Sequence, residues 1–279
     1  MRYHEIVNEL SQADRKKNAG VVSDQFFTRP EVAKKFASWI KSQDFMKRVD
    51  RTIEPSAGNG DLAAHFPGIE KYDLDPKSSD IKQQDFLASD HQHTGGTLVV
   101  MNPPFGAGSD LAIKFFNKAA TFASFIAQIV PRTFRRSSIQ DKLHREWHLV
   151  DEYILPKNSF YLPQEGVDKG YDVPAVAQIW ELVAGKEREP NHVAELPVDT
   201  HFNRDPNRAD FAFRRLGRRS GQLITDPQEI AQTNPSSFFY IQGPVDRWAK
   251  INWKEYGNDG MGARSINKSE IANALASVQ

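Results

Sequence analysis

The pattern of apolar and polar positions predicts short buried strands that alternate with amphipathic helices. A short strand is predicted to end at Ile53, an apolar run ends at Met101, and another spans 124–131, each bounded by polar or turn-forming residues. Apolar residues recur at helical spacing over 32–40 and 111–123. Alternating strands and helices are typical of an α/β protein with a largely parallel sheet.

Two late strands are predicted over 148–155 and 173–182, joined by a polar loop that contains Phe160. A charged stretch at 185–190 separates this pattern from residues rich in Pro, Asn, Arg and aromatic side chains. We therefore predict an N-terminal extension (1–25), a catalytic domain (26–185) and a small irregular C-terminal region (186–279).

The stretch Val99–Gly106, Val-Val-Met-Asn-Pro-Pro-Phe-Gly, is the first candidate for chemistry. Because Pro103 and Pro104 cannot continue a ladder, Asn102 is expected at the carboxyl end of a strand, where ligands bind in α/β sheets. A rigid Asn side chain, the neighbouring main-chain carbonyl and an exposed Phe105 ring would offer two hydrogen-bond acceptors and a stacking surface. These groups suit a flat ring that bears an amino group, although Asn and Pro are also ordinary turn residues.

A glycine-containing stretch at 51–62 is the second candidate. Gly58 and Gly60 let the backbone turn tightly and approach a ligand before the next helix. Asp73 follows at the spacing of a nucleoside-binding strand-helix-strand unit, in which an acidic residue bonds ribose hydroxyls. The third glycine of a dinucleotide-binding loop is absent, which favours a nucleoside such as S-adenosylmethionine over a nicotinamide cofactor.

Three of these segments resemble motifs of the S-adenosylmethionine-dependent N6-adenine methyltransferases. Residues 102–105, Asn-Pro-Pro-Phe, resemble motif IV, and Glu-Pro-Ser-Ala-Gly at 54–58 resembles motif I. Tyr-Asp-Leu-Asp at 72–75 resembles motif II. The combination is specific, whereas no single motif is.

Three weaker segments complete the resemblance. Residues 27–30 resemble motif X, usually written Thr-Pro, although Arg29 is interposed here, and Thr28 is expected to cap the following helix. The pair Asp85-Phe86 matches motif III, and Phe160 occupies the position of the motif VIII aromatic. The order X, I, II, III, IV, VIII over residues 26–182 matches the gamma arrangement of many restriction-modification enzymes.

The resemblance implies a Rossmann-like class I methyltransferase sheet with helices on both faces, which binds S-adenosylmethionine and needs no metal. It assigns cofactor binding to Phe27, Thr28, Pro30, Glu54, Pro55, Ser56, Ala57, Gly58, Gly60, Asp73, Leu74, Asp85, Phe86 and Asn102. It assigns catalysis to Asn102, Pro103, Pro104 and Phe105, and contact with the target base to Phe105 and Phe160, with Tyr161 as the substitute for Phe160.

Two arginine clusters are candidates for phosphate contacts. Arg132, Arg135 and Arg136 follow a predicted strand and would share an edge with Asn102, although a solvated helix start explains them equally well. In the C-terminal region, aromatic residues are interleaved with Arg214, Arg215, Arg218 and Arg219. This pattern suits backbone contact and base stacking, or surface charge over a small core.

Composition limits the partners and the chemistry. Lys plus Arg and Asp plus Glu both number 36, so any nucleic-acid contact must come from a local patch. The absence of cysteine excludes disulfides, thiolate catalysis and cysteine-bound metal. Neither an apolar signal core at the N terminus nor a run of membrane-spanning length is present, and we expect a cytoplasmic protein.

We therefore predict transfer of a methyl group from S-adenosylmethionine to the N6 amine of adenine by direct in-line displacement, with DNA favoured over RNA. The alternatives are an RNA adenine methyltransferase and a non-catalytic methyltransferase-like subunit that binds nucleic acid. Related motifs also serve guanine N2 and protein glutamine. The intact motifs at 102–105 and 54–60 argue against a non-catalytic subunit.

Overall fold

The structure is a computed structural model that describes residues 26–162, 165–191, 193–259 and 263–278. The predicted N-terminal extension, 1–25, lies outside the described residues. The chain divides into two compact units, Met1–Pro190 and Asn191–Gln279. Within the described part of the chain, no helix has the length and apolar character needed to cross a membrane.

The first unit contains nine strands and three α-helices among its described residues. The strands are β1 (Phe27–Thr28), β2 (Arg51–Glu54), β3 (Glu70–Asp73), β4 (Lys82–Gln83), β5 (Thr97–Met101), β6 (Phe125–Pro131), β7 (Trp147–Ile154), β8 (Phe160–Tyr161) and β9 (Ala175–Leu182). The helices are α1 (Pro30–Lys41), α2 (Asp110–Ala119) and α3 (Ser137–Gln140).

Seven of these strands form one sheet in the order β4-β3-β2-β5-β6-β9-β7. The first five strands in this order are parallel, and β9 pairs antiparallel with both β6 and β7. Strands β2, β3, β5 and β6 therefore end at one edge, where α/β sheets bind ligands. This architecture confirms the predicted Rossmann-like class I methyltransferase fold.

Alternating residues of the central strands supply two cores, one on each face of the sheet. Val99 and Met101 pack with apolar residues of α2 such as Phe116, whereas Leu98 and Val100 pack with those of α1. Because successive side chains of a strand point to opposite faces, α1 and α2 cover different sides of the sheet. Helices on both faces were predicted, and they are present.

The segment after the glycine stretch differs from the prediction of a helix between the first two parallel strands. Only a single 3₁₀ turn, Ala63–His65, follows Gly60. Pro67 and Gly68 come two residues later, and neither supports a helix interior. The glycine loop therefore has no α-helix N-terminus behind it, and side chains hold it instead.

The second unit contains a four-stranded antiparallel sheet that sequence patterns do not predict. Its elements are β10 (His201–Asn203), β11 (Phe211–Arg214), β12 (Leu223–Ile224), α4 (Pro227–Ala231), β13 (Phe238–Gln242), α5 (Val245–Ala249) and α6 (Lys268–Ala276). The strand order is β10-β13-β11-β12. Phe211, Phe213, Trp248 and Trp253 are buried together in its core. These aromatic residues build the unit, so they are not available for base stacking.

Candidate active site

Asn102 directly follows the carboxyl end of β5, as predicted. Its Nδ2 donates hydrogen bonds to the carbonyl oxygen of Phe26 at 3.0 Å and to Thr28 Oγ1 at 3.1 Å. Its Oδ1 is enclosed, and no donor among the described residues reaches it. A buried acceptor without a donor costs about 1–3 kcal/mol and calls for an explanation.

Thr28 is not the cap of α1, which corrects the prediction. The residue before the helix is Arg29, and its side chain makes no capping hydrogen bond; Pro30 occupies the first turn. Thr28 lies in β1, which pairs antiparallel with β8 so that Thr28 opposes Phe160 and Phe27 opposes Tyr161. We call this pair of short strands the ribbon. In this paired strand the Thr28 hydroxyl oxygen accepts the hydrogen bond from Asn102 Nδ2.

The glycine loop, residues 55–60, lies between β2 and its 3₁₀ turn and is tied to both neighbouring strands. Ser56 Oγ donates to the carbonyl oxygen of Asn102 at 3.2 Å. Gly58 has φ +54°, and a Cβ there would meet the ring of Phe27 at 2.5 Å. Only glycine fits under that ring. Phe27, from the segment that resembles motif X, therefore contacts Gly58, from the segment that resembles motif I.

Asp73 lies at the end of β3, and both of its carboxylate oxygens accept backbone hydrogen bonds. Oδ2 accepts from Gly58 N at 2.8 Å, and Oδ1 accepts from Asp75 N at 2.8 Å. Each carboxylate oxygen has a second lone pair, so further hydroxyl donors remain compatible with these bonds. The carboxylate therefore fixes the glycine loop and keeps lone pairs that can accept from further donors.

Glu54 is the last residue of β2 and is 2% exposed. Burial raises the pKa of its carboxyl well above the ordinary value, and a hydrogen bond from the Ala63 backbone opposes that rise; Asp61 and Asp73 reinforce it. Oε2 has no partner among the described residues. A bound cation, such as the ammonium of an amino acid, would relieve this buried carboxyl.

The remaining predicted cofactor residues are divided between the loops and the core. Pro55 and Ala57 are buried in the glycine loop, and the Leu74 carbonyl accepts from Gln83 Nε2 at 3.1 Å. Asp85 Oδ1 accepts from Leu87 N at 3.0 Å. Phe86 is 2% exposed and packs on Phe115 with ring centroids 5.2 Å apart. Phe86 is thus a core residue, and its ring has too little exposed surface to contact a cofactor.

The aromatic pair proposed for base stacking is buried, which corrects the expectation of exposed rings. Phe105 is 6% exposed and Phe160 is fully buried, and their rings meet edge to face with centroids 6.1 Å apart. The ring of Phe26 also packs edge to face on that of Phe160, with centroids 6.3 Å apart. Because the ribbon brings Phe160 inward, a base could stack on either ring only after these contacts break. Pro103 is buried and Pro104 half-buried beside them.

Tyr161, Asn59 and Asp61 form a group to which the sequence analysis gave no role at the glycine loop. The Tyr161 hydroxyl donates to Asp61 Oδ2 at 2.9 Å and accepts from Asn59 Nδ2 at 2.9 Å. Burial, with the Asp61 bond second, raises the pKa of Tyr161 to about 12. Polar residues flanking Gly60 were the available signal, but their partner lies 100 residues away in the chain.

The first arginine cluster follows β6, where Arg132–Arg135 form a 3₁₀ turn. Arg135 Nε donates to Glu152 Oε1 at 2.9 Å, and the other oxygen of Glu152 accepts from Gln178 Nε2 at 2.9 Å. Arg132 and Arg136 are half-buried. Because Arg135 already pairs with the Glu152 carboxylate, Arg132 is a better candidate than Arg135 for contact with a phosphate.

The second cluster lies in the C-terminal unit and is only partly free. The guanidinium of Arg214 lies 5.4 Å from the Phe238 ring centroid, and that of Arg215 lies 4.9 Å from the Phe239 ring centroid. Arg218 and Arg219 are exposed in the turn between β11 and β12. The exposed pair is therefore better placed than the stacked pair to meet a phosphate.

Comparison with known proteins identifies part of the first unit. Residues 68–178 match the model of the EDM2 methyltransferase-like domain. Protein ENHANCED DOWNY MILDEW 2 of Arabidopsis thaliana is 33% identical over 101 residues, which are 34% of this chain and 8% of that protein. The chain thus aligns with only a small part of its curated relative.

Solved structures with similar topology were also found. A Listeria monocytogenes protein described as a class I S-adenosylmethionine-dependent methyltransferase has a TM-score of 0.46 at 15% identity, covering 68% of this chain and 71% of that one. The type I restriction-modification system methyltransferase subunit of Streptococcus thermophilus has a TM-score of 0.44 at 14% identity, covering 87% and 59%. With the sheet order and the family match, we conclude that the chain contains a methyltransferase-like domain.

Proposed function

We propose that this chain transfers a methyl group from S-adenosylmethionine to the N6 amine of adenine in nucleic acid, with DNA as the first candidate. The observation that carries the proposal is the enclosed Oδ1 of Asn102, an acceptor without a donor at the carboxyl end of β5. The amine of adenine would supply the hydrogen-bond donor that this oxygen lacks. Ser56 links the same residue to the glycine loop, which brings the two predicted binding sites into contact.

The residues present fit S-adenosylmethionine. The buried Glu54 carboxyl, with Oε2 unpaired among the described residues, suits the ammonium group, and the Asp73 carboxylate suits ribose hydroxyls. Asp85 would accept from the adenine amine of the cofactor. When bound, the cofactor supplies a methyl group on a positively charged sulfur, which makes that carbon a good electrophile.

The protein's own contribution is orientation of the accepting amine. Asn102 Oδ1 and the carbonyl oxygen of Pro103 would each accept a hydrogen bond from one N–H group of the amine and turn its lone pair toward the methyl donor. Prearranged acceptors of this kind supply rate through positioning and electrostatics, with no covalent step by the enzyme. In a duplex the base must first leave the stack, at a cost of a few kcal/mol.

We further propose that residues 26–185 are the catalytic domain and that residues 186–279 contribute nucleic-acid contacts. Arg218 and Arg219 support the second assignment, because they are exposed cations on a turn of that region. This region contains a small folded unit, so contact would come from its surface.

The deciding experiment measures transfer of tritiated methyl groups onto duplex DNA, single-stranded DNA, RNA and protein, followed by identification of the product nucleoside. We expect N6-methyldeoxyadenosine from DNA and no label with the Asn102→Ala variant. Label confined to RNA would reassign the substrate. Cofactor binding without transfer to any acceptor would contradict an enzyme and support a non-catalytic subunit.

A further inference from the structure

Both protons of the Asn102 amide are already committed to other atoms of the protein. A carboxamide nitrogen has two protons, and Nδ2 donates one to the Phe26 carbonyl oxygen and the other to Thr28 Oγ1. Rotating the amide by half a turn would place Oδ1 against the Phe26 carbonyl, where two acceptors would face each other. The present orientation is therefore favoured over the rotated one.

We propose that Thr28 is a positioning residue, whose hydroxyl holds the Asn102 amide so that only its oxygen is presented to a substrate. The inference rests on the function proposed above, and it deepens that function: the accepting substrate must offer an N–H or O–H donor to Oδ1. An acceptor group, such as a ring carbonyl, would find no proton there.

The burial of Thr28 makes its hydroxyl difficult to replace by water. Thr28 is 4% exposed, and pairing with Phe160 fixes the backbone on which its side chain stands. Of the two acceptors that hold the amide, the Phe26 carbonyl belongs to the backbone and survives any substitution. Thr28 is therefore the part of this arrangement that a side-chain replacement can remove.

The resemblance to motif X makes a competing prediction, in which Thr28 contacts the methionine end of the cofactor. Two conservative variants separate the two roles. Thr28→Val keeps the shape and the preference for a strand but removes the hydroxyl, and Thr28→Ser keeps the hydroxyl. Val suits β1, so a loss of function in that variant reports the missing hydroxyl.

The first measurement needs no catalysis. In the free protein with ¹⁵N-labelled asparagine, the Asn102 side-chain signals are assigned by their absence in Asn102→Ala. We expect hydrogen exchange of the Asn102 side-chain NH₂ protons to quicken about ten-fold in Thr28→Val, because one hydrogen bond is lost. In Thr28→Ser the exchange rate should stay near that of wild type. Equal exchange in wild type and Thr28→Val would overturn the proposal, whether or not the protein methylates anything.

The second measurement compares methyl transfer with cofactor binding. We expect kcat to fall about ten-fold in Thr28→Val, with recovery in Thr28→Ser and a Kd for S-adenosylmethionine that changes less than about two-fold. A weaker Kd at unchanged kcat would overturn the proposal in favour of the motif X role. If the exchange result holds but wild type methylates no acceptor, the proposed function fails while the orientation of the amide stands.

Discussion

The two units place their candidate functional side chains in different ways, and the direction of their strands explains why. Parallel strands β2, β3 and β5 end at one edge, so Glu54, Asp73 and Asn102 come from distant parts of the chain to one side of the sheet. In the antiparallel sheet of the second unit, successive strands end at opposite edges. No common edge gathers its polar residues, and its charges lie on the surface.

The gathering of polar side chains at one sheet edge is therefore what distinguishes the first unit from the second. Aromatic residues of the C-terminal region fill a core, whereas arginines lie over rings or on a turn. Chemistry is expected from the first unit and surface contact from the second. Four variants test this division, beginning with the largest expected effect.

Removing the central tryptophan of the second unit should unfold that unit alone. Trp248 is fully buried, and its ring packs on those of Phe211 at 5.2 Å and Phe213 at 5.0 Å. We expect Trp248→Ala to destabilise the second unit by about 3–5 kcal/mol. Calorimetric unfolding, with cofactor binding measured in parallel, checks this. Val198→Ala, at a side chain 94% exposed, is the control. Simultaneous loss of cofactor binding would show that the units do not fold independently.

Removing the Asn102 side-chain amide from the first unit should abolish methyl transfer without unfolding either unit. Asn102→Ala deletes the proposed acceptor, and we expect turnover to fall by roughly 10²-fold or more, as for other prearranged hydrogen-bonding groups. The Kd for S-adenosylmethionine, measured by calorimetric titration, should change far less than turnover does. Asn207→Ala, at an exposed asparagine of the second unit, should leave turnover intact. An active Asn102→Ala enzyme would contradict the amine mechanism.

Neutralising the exposed turn of the second unit should weaken nucleic-acid binding in a salt-dependent way. For the double variant Arg218→Ala and Arg219→Ala, we expect the log-log salt slope of binding to decrease by about one unit per lost phosphate contact. The matched control is Arg208→Ala, whose guanidinium lies near the Asp205 carboxylate at 3.8 Å. An unchanged slope would leave these arginines as surface charge only.

The smallest effect concerns the acid stability of the first unit. Hydrogen bonds from Arg51 Nε at 2.6 Å and from Tyr72 lower the pKa of Glu70 from 4.5 to about 2, with Arg51 the larger cause. A carboxylate with a lowered folded pKa stabilises the protein above pH 4.5, and this contribution is lost as the pH falls toward 2. Glu70 is partly exposed, so we expect about 1 kcal/mol.

Unfolding free energies of Glu70→Gln and wild type between pH 7 and pH 2 test this expectation. The two curves should differ at neutral pH and converge at the acid end. Glu195→Gln, an exposed carboxylate of the second unit, should track wild type throughout. A constant gap across the range would show that Glu70 acts through packing and not through its charge.

Sequence was a good guide to features that depend on local pattern. Apolar runs predicted the central strands β5 and β6, and two prolines put Asn102 at a strand end. The helix predicted after Gly60 was wrong, although Pro67 and Gly68, seven and eight residues later, were a signal against it. Resemblance to motifs supplied the candidate cofactor residues, and the glycine loop and Asp73 do contact each other.

Features that depend on distant partners could not be predicted. Strands β1 and β8 have two residues each, which is too short for any periodicity to appear. Their pairing nevertheless decides that Phe160 is buried, that Thr28 holds Asn102 and that Tyr161 reaches the glycine loop. The four strands of the second unit are likewise short and lie among Pro and Asn residues that indicate loops.

The ribbon has a consequence for the order in which the protein folds. The hydrogen bond between Asn102 and Thr28 spans 74 residues of chain, and that between Asn59 and Tyr161 spans 102. Contacts of such high sequence separation form slowly, because the loop between them must close first. During synthesis, β2 through β6 leave the ribosome before Phe160 does. The growing chain can therefore build its parallel strands early, while the Asn102 amide acquires its orientation only after the ribbon closes.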